Sequence, residues 1–186
     1  SNNFKIINDS YINIDKLNLP ELNGIIFDLG VSSPQLDNKD RGFSFNKESD
    51  LDMRFSQEED ETLTAEYIVN NYSSEKLADI FYKYSDEPYS KIIAREIVIY
   101  RKKKKIKSTT ELSNLIIEAL RGKKYIGNIH PATRVFQALR IEVNDEFQNI
   151  RLTIPKAVNL LKKGGRLCVI SFHSSEDRIV KECLKY

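Results

Sequence analysis

Two short apolar runs in this chain end in polar clusters, and those clusters hold the residues with the most chemistry to offer. GIIFDLGV at residues 24–31 carries Asp28 and runs into Ser32, Ser33, Pro34 and Gln35. RLCVISF at residues 166–172 runs into His173, Ser174, Ser175, Glu176 and Asp177. In an open parallel sheet, ligands sit beyond the carboxyl ends of the strands, so these positions are the first candidates for a site. A carboxylate, and the carbonyls ahead of a proline, are acceptors that can grip both N–H bonds of a conjugated amine. The grip frees the nitrogen lone pair for in-line attack on an electrophile. A plainer reading stands beside this one: Asp28 or Ser174 can satisfy a nearby backbone donor or cap a helix. Two such clusters on two separate strands weigh against the plainer reading without removing it.

The segment Asp-Leu-Gly-Val-Ser-Ser-Pro at residues 28–34 resembles the strand-end motif with which amino-group methyltransferases hold an exocyclic amine. Methylation at a ring carbon would instead need a cysteine nucleophile. Cys168 lies inside an apolar run, Cys183 lies near the end of the chain, neither follows a proline, and both read as packing residues. Two cysteines make no disulfide framework and two histidines make no metal-ligand cluster, so a metal-free intracellular protein is expected.

Positioning these clusters takes strands and helices in a definite order. FKIIND at residues 4–9 and the run at 24–31 read as buried strands of a parallel sheet, and residues 166–172 as a third. Residues 32–57 are dense in Ser, Asp, Asn, Gly and Pro and have the profile of one long ordered loop; loops of that length are usually functional or disordered. From residue 62 to 122 the period turns helical. Leu77, Ile80, Phe81 and Tyr84 share a face after Ser73 and Ser74, and Ser108 with Glu111 reads as a capping box ahead of Leu112, Leu115, Ile116 and Ala119. Further helices are expected over 132–147, over 156–162 with Gly164 and Gly165 as the stop, and from Ser174, with Ser174 and Asp177 as a cap pair. The pattern predicts an α/β protein whose open sheet is interrupted by helices: a partial core at residues 1–60 and 130–186, and an inserted helical subdomain at 61–129.

The chain of 186 residues is 40% hydrophobic, enough for one domain carrying an insert. Its 29 basic and 27 acidic residues leave a formal charge of +2, so any nucleic-acid contact must come from local patches such as Arg101 with Lys102, Lys103, Lys104 and Lys105. No run approaches the roughly eighteen apolar residues of a membrane span, and SNNFKIINDS lacks the basic and apolar regions of a signal peptide.

Whole phrases carry a closer resemblance. GIIFDLGVSSPQLDNKDRGFSF, then LDMRF, then HPATRVFQALRIEVNDE, then LKKGGRLCVISFHSSEDRIVK are similar in order and wording to the bacterial ribosomal RNA cytosine-N4 methyltransferase family, often called MraW or RsmH. The resemblance implies a class I, Rossmann-like methyltransferase sheet with an inserted helical subdomain. It implies S-adenosylmethionine as methyl donor, and as acceptor the exocyclic amine of a cytosine in small-subunit ribosomal RNA, free or in the assembled subunit. A cytoplasmic protein, or one in an organelle of bacterial origin, is then expected. Phe4 matches an aromatic on the adenine side of the cofactor, Asp28 the acidic residue at the cofactor edge, and Gln35 a polar cofactor contact. Ser33 and Pro34, with His173 and Ser174, are candidates for the side that holds the acceptor base. The family's Gly-rich loop and acidic ribose-binding residue would lie upstream of Ser1, and the family continues beyond Tyr186, so both ends of the family domain are expected to lie outside this sequence.

The remaining motif residues carry two readings each. Arg134, just after the His130-Pro131 turn, is the best candidate for an RNA contact in its helix, whose other charged residues read as paired. Arg41, Asp52 and Arg54 read as a salt-bridged clasp, or Arg41 and Arg54 as RNA contacts. Phe43 and Phe45 either anchor the loop or stack on a flipped base. Lys103 and its neighbours form a solvated helix end or meet phosphate. Two other functions share these features: a non-catalytic RNA-binding or ribosome-assembly module, and a DNA amino-methyltransferase, which usually shows an aromatic where Gln35 stands.

Overall fold

The computed structural model describes residues 4–30, 41–45, 47–56, 63–123 and 129–185. They fall into two compact units, Ser1–Gly30 with Glu146–Tyr186, and Val31–Asp145. The second unit is wider than the expected insert at 61–129.

In the first unit β1 (Leu22–Asp28) and β2 (Leu161–Ile170) pair in parallel, with Ile25 opposite Leu167, Phe27 opposite Val169 and Asp28 opposite Ile170. Among the described residues of this unit, one face of the pair is covered and the other is open. Ile25 and Phe27 are buried while Ile26 between them is 73% exposed, the period-two alternation of a sheet packed on one side. The covering elements are a 3-10 helix, Tyr11–Lys16, whose Tyr11 ring meets Phe27 edge-on at 5.9 Å, and the helix that leads into β2. Lys156 of that helix fastens the two together, donating to the Ile12 carbonyl at 2.7 Å and to Asp15 at 3.0 Å.

Three expectations for this unit are corrected. Residues 4–9 form no strand: Phe4 is 76% and Ile6 83% exposed, because no described strand offers a ladder to their amides. Gly164 and Gly165 stop no helix but lie inside β2, where the positive φ of Gly164 (84°) lets the strand bulge between the pairs at Leu22 and Gly24. Cys168, read as a packing residue, is exposed on the open face.

The second unit is helical. Its elements are α1 (Ala65–Asn71), α2 (Ser74–Ser85), α3 (Ser90–Arg101), α4 (Thr109–Ala119) and α5 (Thr133–Asn144). Hydroxyls start three of them, two at the serines the sequence indicated: Ser73 accepts from the Lys76 amide and Ser108 from Glu111, while Thr64, which the sequence did not single out, accepts from Tyr67. The apolar faces of the helices converge, burying Leu77, Ile80 and Phe81 of α2, Ile93 and Ile97 of α3, Leu112 and Ile116 of α4, and Val135, Phe136 and Leu139 of α5. The expected single helix over 132–147 divides instead. Asp145 adopts the left-handed conformation (φ 49°) and closes α5, and α6 (Glu146–Asn159) begins the first unit's second segment with Pro155 inside it. The first unit ends with α7 (Ser174–Cys183).

The loop ahead of α1 belongs to this helical core. Leu51 and Met53 are fully buried. Gly42 makes the close approach possible: its φ is +71°, and a Cβ there would collide with the Asp50 carbonyl. Gly42→Ala should therefore lower stability by about 2 kcal/mol or more, read as a shift of the urea midpoint; an unchanged midpoint would show that the loop adds nothing to this core.

Candidate functional site

Parallel pairing decides what lies at the sheet edge. Asp28 is opposite Ile170, so β1 and β2 end together, and Asp28 and His173 follow on neighbouring strands at one carboxyl edge. Asp28 is exposed, and its carboxylate makes no hydrogen bond among the described residues. The chain turns at Gly30 (φ 95°) under the Phe172 ring, which is 67% exposed and leaves only 3.1 Å to the position of a Cβ.

The start of α7 is capped by His173 and not, as expected, by Ser174 with Asp177. His173 Nδ1 accepts from the Glu176 amide at 3.3 Å, so the proton of the neutral ring belongs on Nε2. Nε2 lies 3.1 Å from Glu176 Oε1, without hydrogen-bond geometry. Glu176, 1% exposed, also accepts from the Phe172 amide at 2.8 Å, and so ties the strand end to the helix start. Burial pushes the nearby Tyr11 hydroxyl up to about 12, with the charges of Glu146 and Glu176 adding to the shift. Ser174 is the exposed first residue of α7, and Asp177 pairs with Lys181 at 2.7 Å. At this edge Asp28 is thus a ready acceptor, while His173 holds the helix in place. Phe4 is an exposed ring in the same unit; Ser33, Pro34 and Gln35 lie outside the described residues.

In the helical unit the expected clasp is salt-bridged only between Arg54 and Asp52, and Arg41 joins it through backbone carbonyls. Arg54 grips Asp52 with two bonds, Nε to Oδ1 at 2.6 Å and Nη2 to Oδ2 at 3.0 Å. Arg41 donates to the carbonyls of Arg54 and Phe55, both at 2.7 Å. Phe43 is buried and stacks on Phe55, and Phe45 stacks on His130 at 4.3 Å between ring centres, with Phe136 edge-on. Both aromatics anchor the loop. Arg134 donates to the Asp86 carbonyl at 3.3 Å.

One residue that binds this loop was missed in the sequence. Asn144, in the last turn of α5, donates from Nδ2 to the carbonyls of Met53 (2.7 Å) and Arg140 (2.8 Å) and accepts at Oδ1 from the Phe55 amide (2.7 Å). It holds Met53 in a left-handed conformation (φ 63°) that a bulky side chain seldom adopts. Its only signal was a polar residue closing an otherwise packed helix.

The basic run is divided by its neighbours. Arg101 donates to the Val69 carbonyl at 2.8 Å and Lys104 pairs with Glu111 at 2.8 Å, whereas Lys103 is exposed. Glu111 departs from the capping box, reaching the Lys107 amide at 3.0 Å rather than that of Ser108. Burial by itself would raise its pKa, but Lys104, the Lys107 N–H and the Tyr100 hydroxyl together hold it down at about 2.

A parallel strand pair with an acceptor and a capped helix at its carboxyl edge defines a mixed α/β protein of the kind that takes ligands at strand ends. The MraW methylase family model matches residues 1–186, and the chain belongs to that family. It is 46% identical over 185 residues to the ribosomal RNA small subunit methyltransferase H of Halothermothrix orenii, covering 97% of this chain and 59% of that protein. It is 48% identical over 189 aligned positions to the protein of the same name from Caldicellulosiruptor saccharolyticus (100% of this chain, 60% of the relative). The Caldicellulosiruptor bescii counterpart is 47% identical over 188 (99% and 60%). The chain thus spans about 60% of the length of these curated relatives.

Two outcomes follow from the side-chain clamps. Asn144→Ala strands the Met53 carbonyl and the Phe55 amide and should cost about 1–3 kcal/mol, with faster tryptic cleavage after Arg54; parental stability and cleavage would show the clamp to be idle. Because the folded pKa of Glu111 lies below its usual 4.5, its contribution is present above that value and disappears as pH falls from there toward about 2. Urea midpoints followed into acid should therefore drop more steeply for the parent than for Glu111→Gln, and equal slopes would remove Glu111 from the acid response.

Proposed function

We propose that the full-length protein transfers a methyl group from S-adenosylmethionine to the exocyclic N4 amine of a cytosine in small-subunit ribosomal RNA, free or within the assembled subunit. The observation that carries this reading is the exposed Asp28 carboxylate at the carboxyl end of β1, opening the DLGVSSPQ phrase in a chain matched throughout by the MraW methylase family. The names of the relatives, ribosomal RNA small subunit methyltransferase H, support the substrate class.

The residues fit the group they would hold. Asp28 is a free acceptor at the edge where such ligands bind, and Phe4 offers an open ring for an adenine face. S-adenosylmethionine supplies an electrophilic methyl on a sulfonium sulfur. Asp28 and the carbonyls around Ser33 and Pro34 hold the amine N–H bonds and leave its lone pair free; Gln35 fixes the cofactor edge; His173 and Ser174 set the start of α7 beside the base. In this reading the sheet is part of a class I methyltransferase core, the helical unit is its insertion, and the protein works in the cytoplasm or an organelle of bacterial origin. Among the described residues no helix is long and apolar enough to cross a membrane.

Asp28→Ala and Gln35→Ala should each lower methyl transfer by the full-length protein roughly ten- to hundred-fold, the loss of one charged or positioning hydrogen bond. Transfer of a labelled methyl to small-subunit RNA, with mass spectrometry of the nucleosides, measures both rate and product. Full activity in Asp28→Ala would remove that residue from the mechanism, and a product other than N4-methylcytidine would overturn the assignment.

A further inference from the structure

We propose that the connection between α3 and α4 is a pre-formed docking surface for the phosphate backbone of RNA, carried by Lys102, Lys103, Lys105 and Lys107. The proposal rests on the RNA-methyltransferase reading and adds where the RNA is held. The backbone of this turn is fixed from several sides. Ile106 is fully buried, and Asn70 of α1 closes both of its peptide groups, accepting from its amide at 3.0 Å and donating to its carbonyl at 2.7 Å. Lys107 donates its amide to Glu111 at 3.0 Å and its carbonyl accepts from Leu51 at 3.3 Å.

The same bonds sort the cations. Arg101 is spent on the Val69 carbonyl and Lys104 on Glu111. Lys102, Lys103, Lys105 and Lys107 are exposed, and their ammonium groups meet no carboxylate among the described residues. Four point charges on a held backbone lose only their own rotamer freedom on binding. Lysine lacks the planar fork that reads a base edge, so the surface suits phosphate irrespective of sequence. A groove of about 730 Å³ beside the turn is lined by Lys104 and Lys107 together with Glu48, Glu111 and Glu118, so Lys107 stands at its edge and the three carboxylates disfavour a phosphate inside it. An anionic membrane would need apolar anchors among the cations, and the turn's one apolar residue, Ile106, is fully buried.

The test compares the full-length parent with a variant carrying Lys→Gln at all four positions. The readouts are anisotropy of a labelled small-subunit RNA fragment between about 50 and 200 mM KCl, KM for RNA in methyl transfer, and pelleting with phosphatidylglycerol vesicles. The variant should bind at least about ten-fold more weakly, lose roughly 0.7 in log–log salt slope per lysine for single-stranded RNA, and show a raised KM. All four side chains are exposed, so its melt should match the parent; if it does not, the double variants Lys102→Gln/Lys103→Gln and Lys105→Gln/Lys107→Gln must each give about half the slope change. Unchanged binding and slope, in a parent that methylates RNA, would overturn the docking surface and leave the function standing. Binding to vesicles but not to RNA would overturn it in favour of a membrane surface, and a parent that neither binds nor methylates RNA would overturn both.

Discussion

A stretch without regular structure that buries apolar side chains must also find partners for its peptide groups, and the helical unit is arranged around meeting that demand at residues 41–56. Leu51 and Met53 are as buried as any helix residue. Their backbone groups are shared among several elements: the Leu51 carbonyl accepts from Glu66, the Asp52 carbonyl from Ala65 at the start of α1, and the Met53 amide donates to Arg41. Arg41 and Asn144 take the carbonyls of residues 53–55. Unpaired, each buried group would cost about as much as a lost hydrogen bond. The loop therefore specifies the placement of α1 and α5 as much as they specify it.

Buried and half-buried acids play a corresponding part. Glu111 collects Tyr100, Lys104 and the Lys107 amide, and Glu176 collects the Phe172 amide beside the His173 ring. Both stand at helix N-termini, where the orphan amides and the dipole favour negative charge. Each fastens the segment entering its helix: the lysine turn before α4 and the strand end before α7. Asp28 has no such duty among the described residues, and it lies where a strand-end ligand would need an acceptor.

The sheet explains the contrast between its two faces. Tyr11 and α6 cover Ile25 and Phe27, while Ile26, Ile170 and Phe172 stay open, so alternation along β1 is visible only once the covering elements are known. Read as a run, GIIFDLGV has no alternation and suggests two covered faces. The exposure of Cys168 follows from the same parity, since it sits opposite Ile26.

The amino-acid pattern marked the helical stretch of the second unit, its starts at Ser73 and Ser108 and the buried faces that follow them, because local periodicity and capping depend on residues three or four positions apart. It also determined the family, through phrases longer than chance spacing explains, and placed Asp28 at a strand end. Tertiary structure alone decided the rest. The absence of a strand at residues 4–9 depends on a ladder partner distant in sequence, and the cap at His173 on where β2 ends. Asn144 meets Met53 and Phe55 across about ninety residues, and Glu111 reaches the Lys107 amide rather than that of Ser108 where Tyr100 of α3 and Lys104 of the turn after it also bind its carboxylate. No local pattern encodes such pairings, since each is fixed by backbone groups that come together only when the chain has folded.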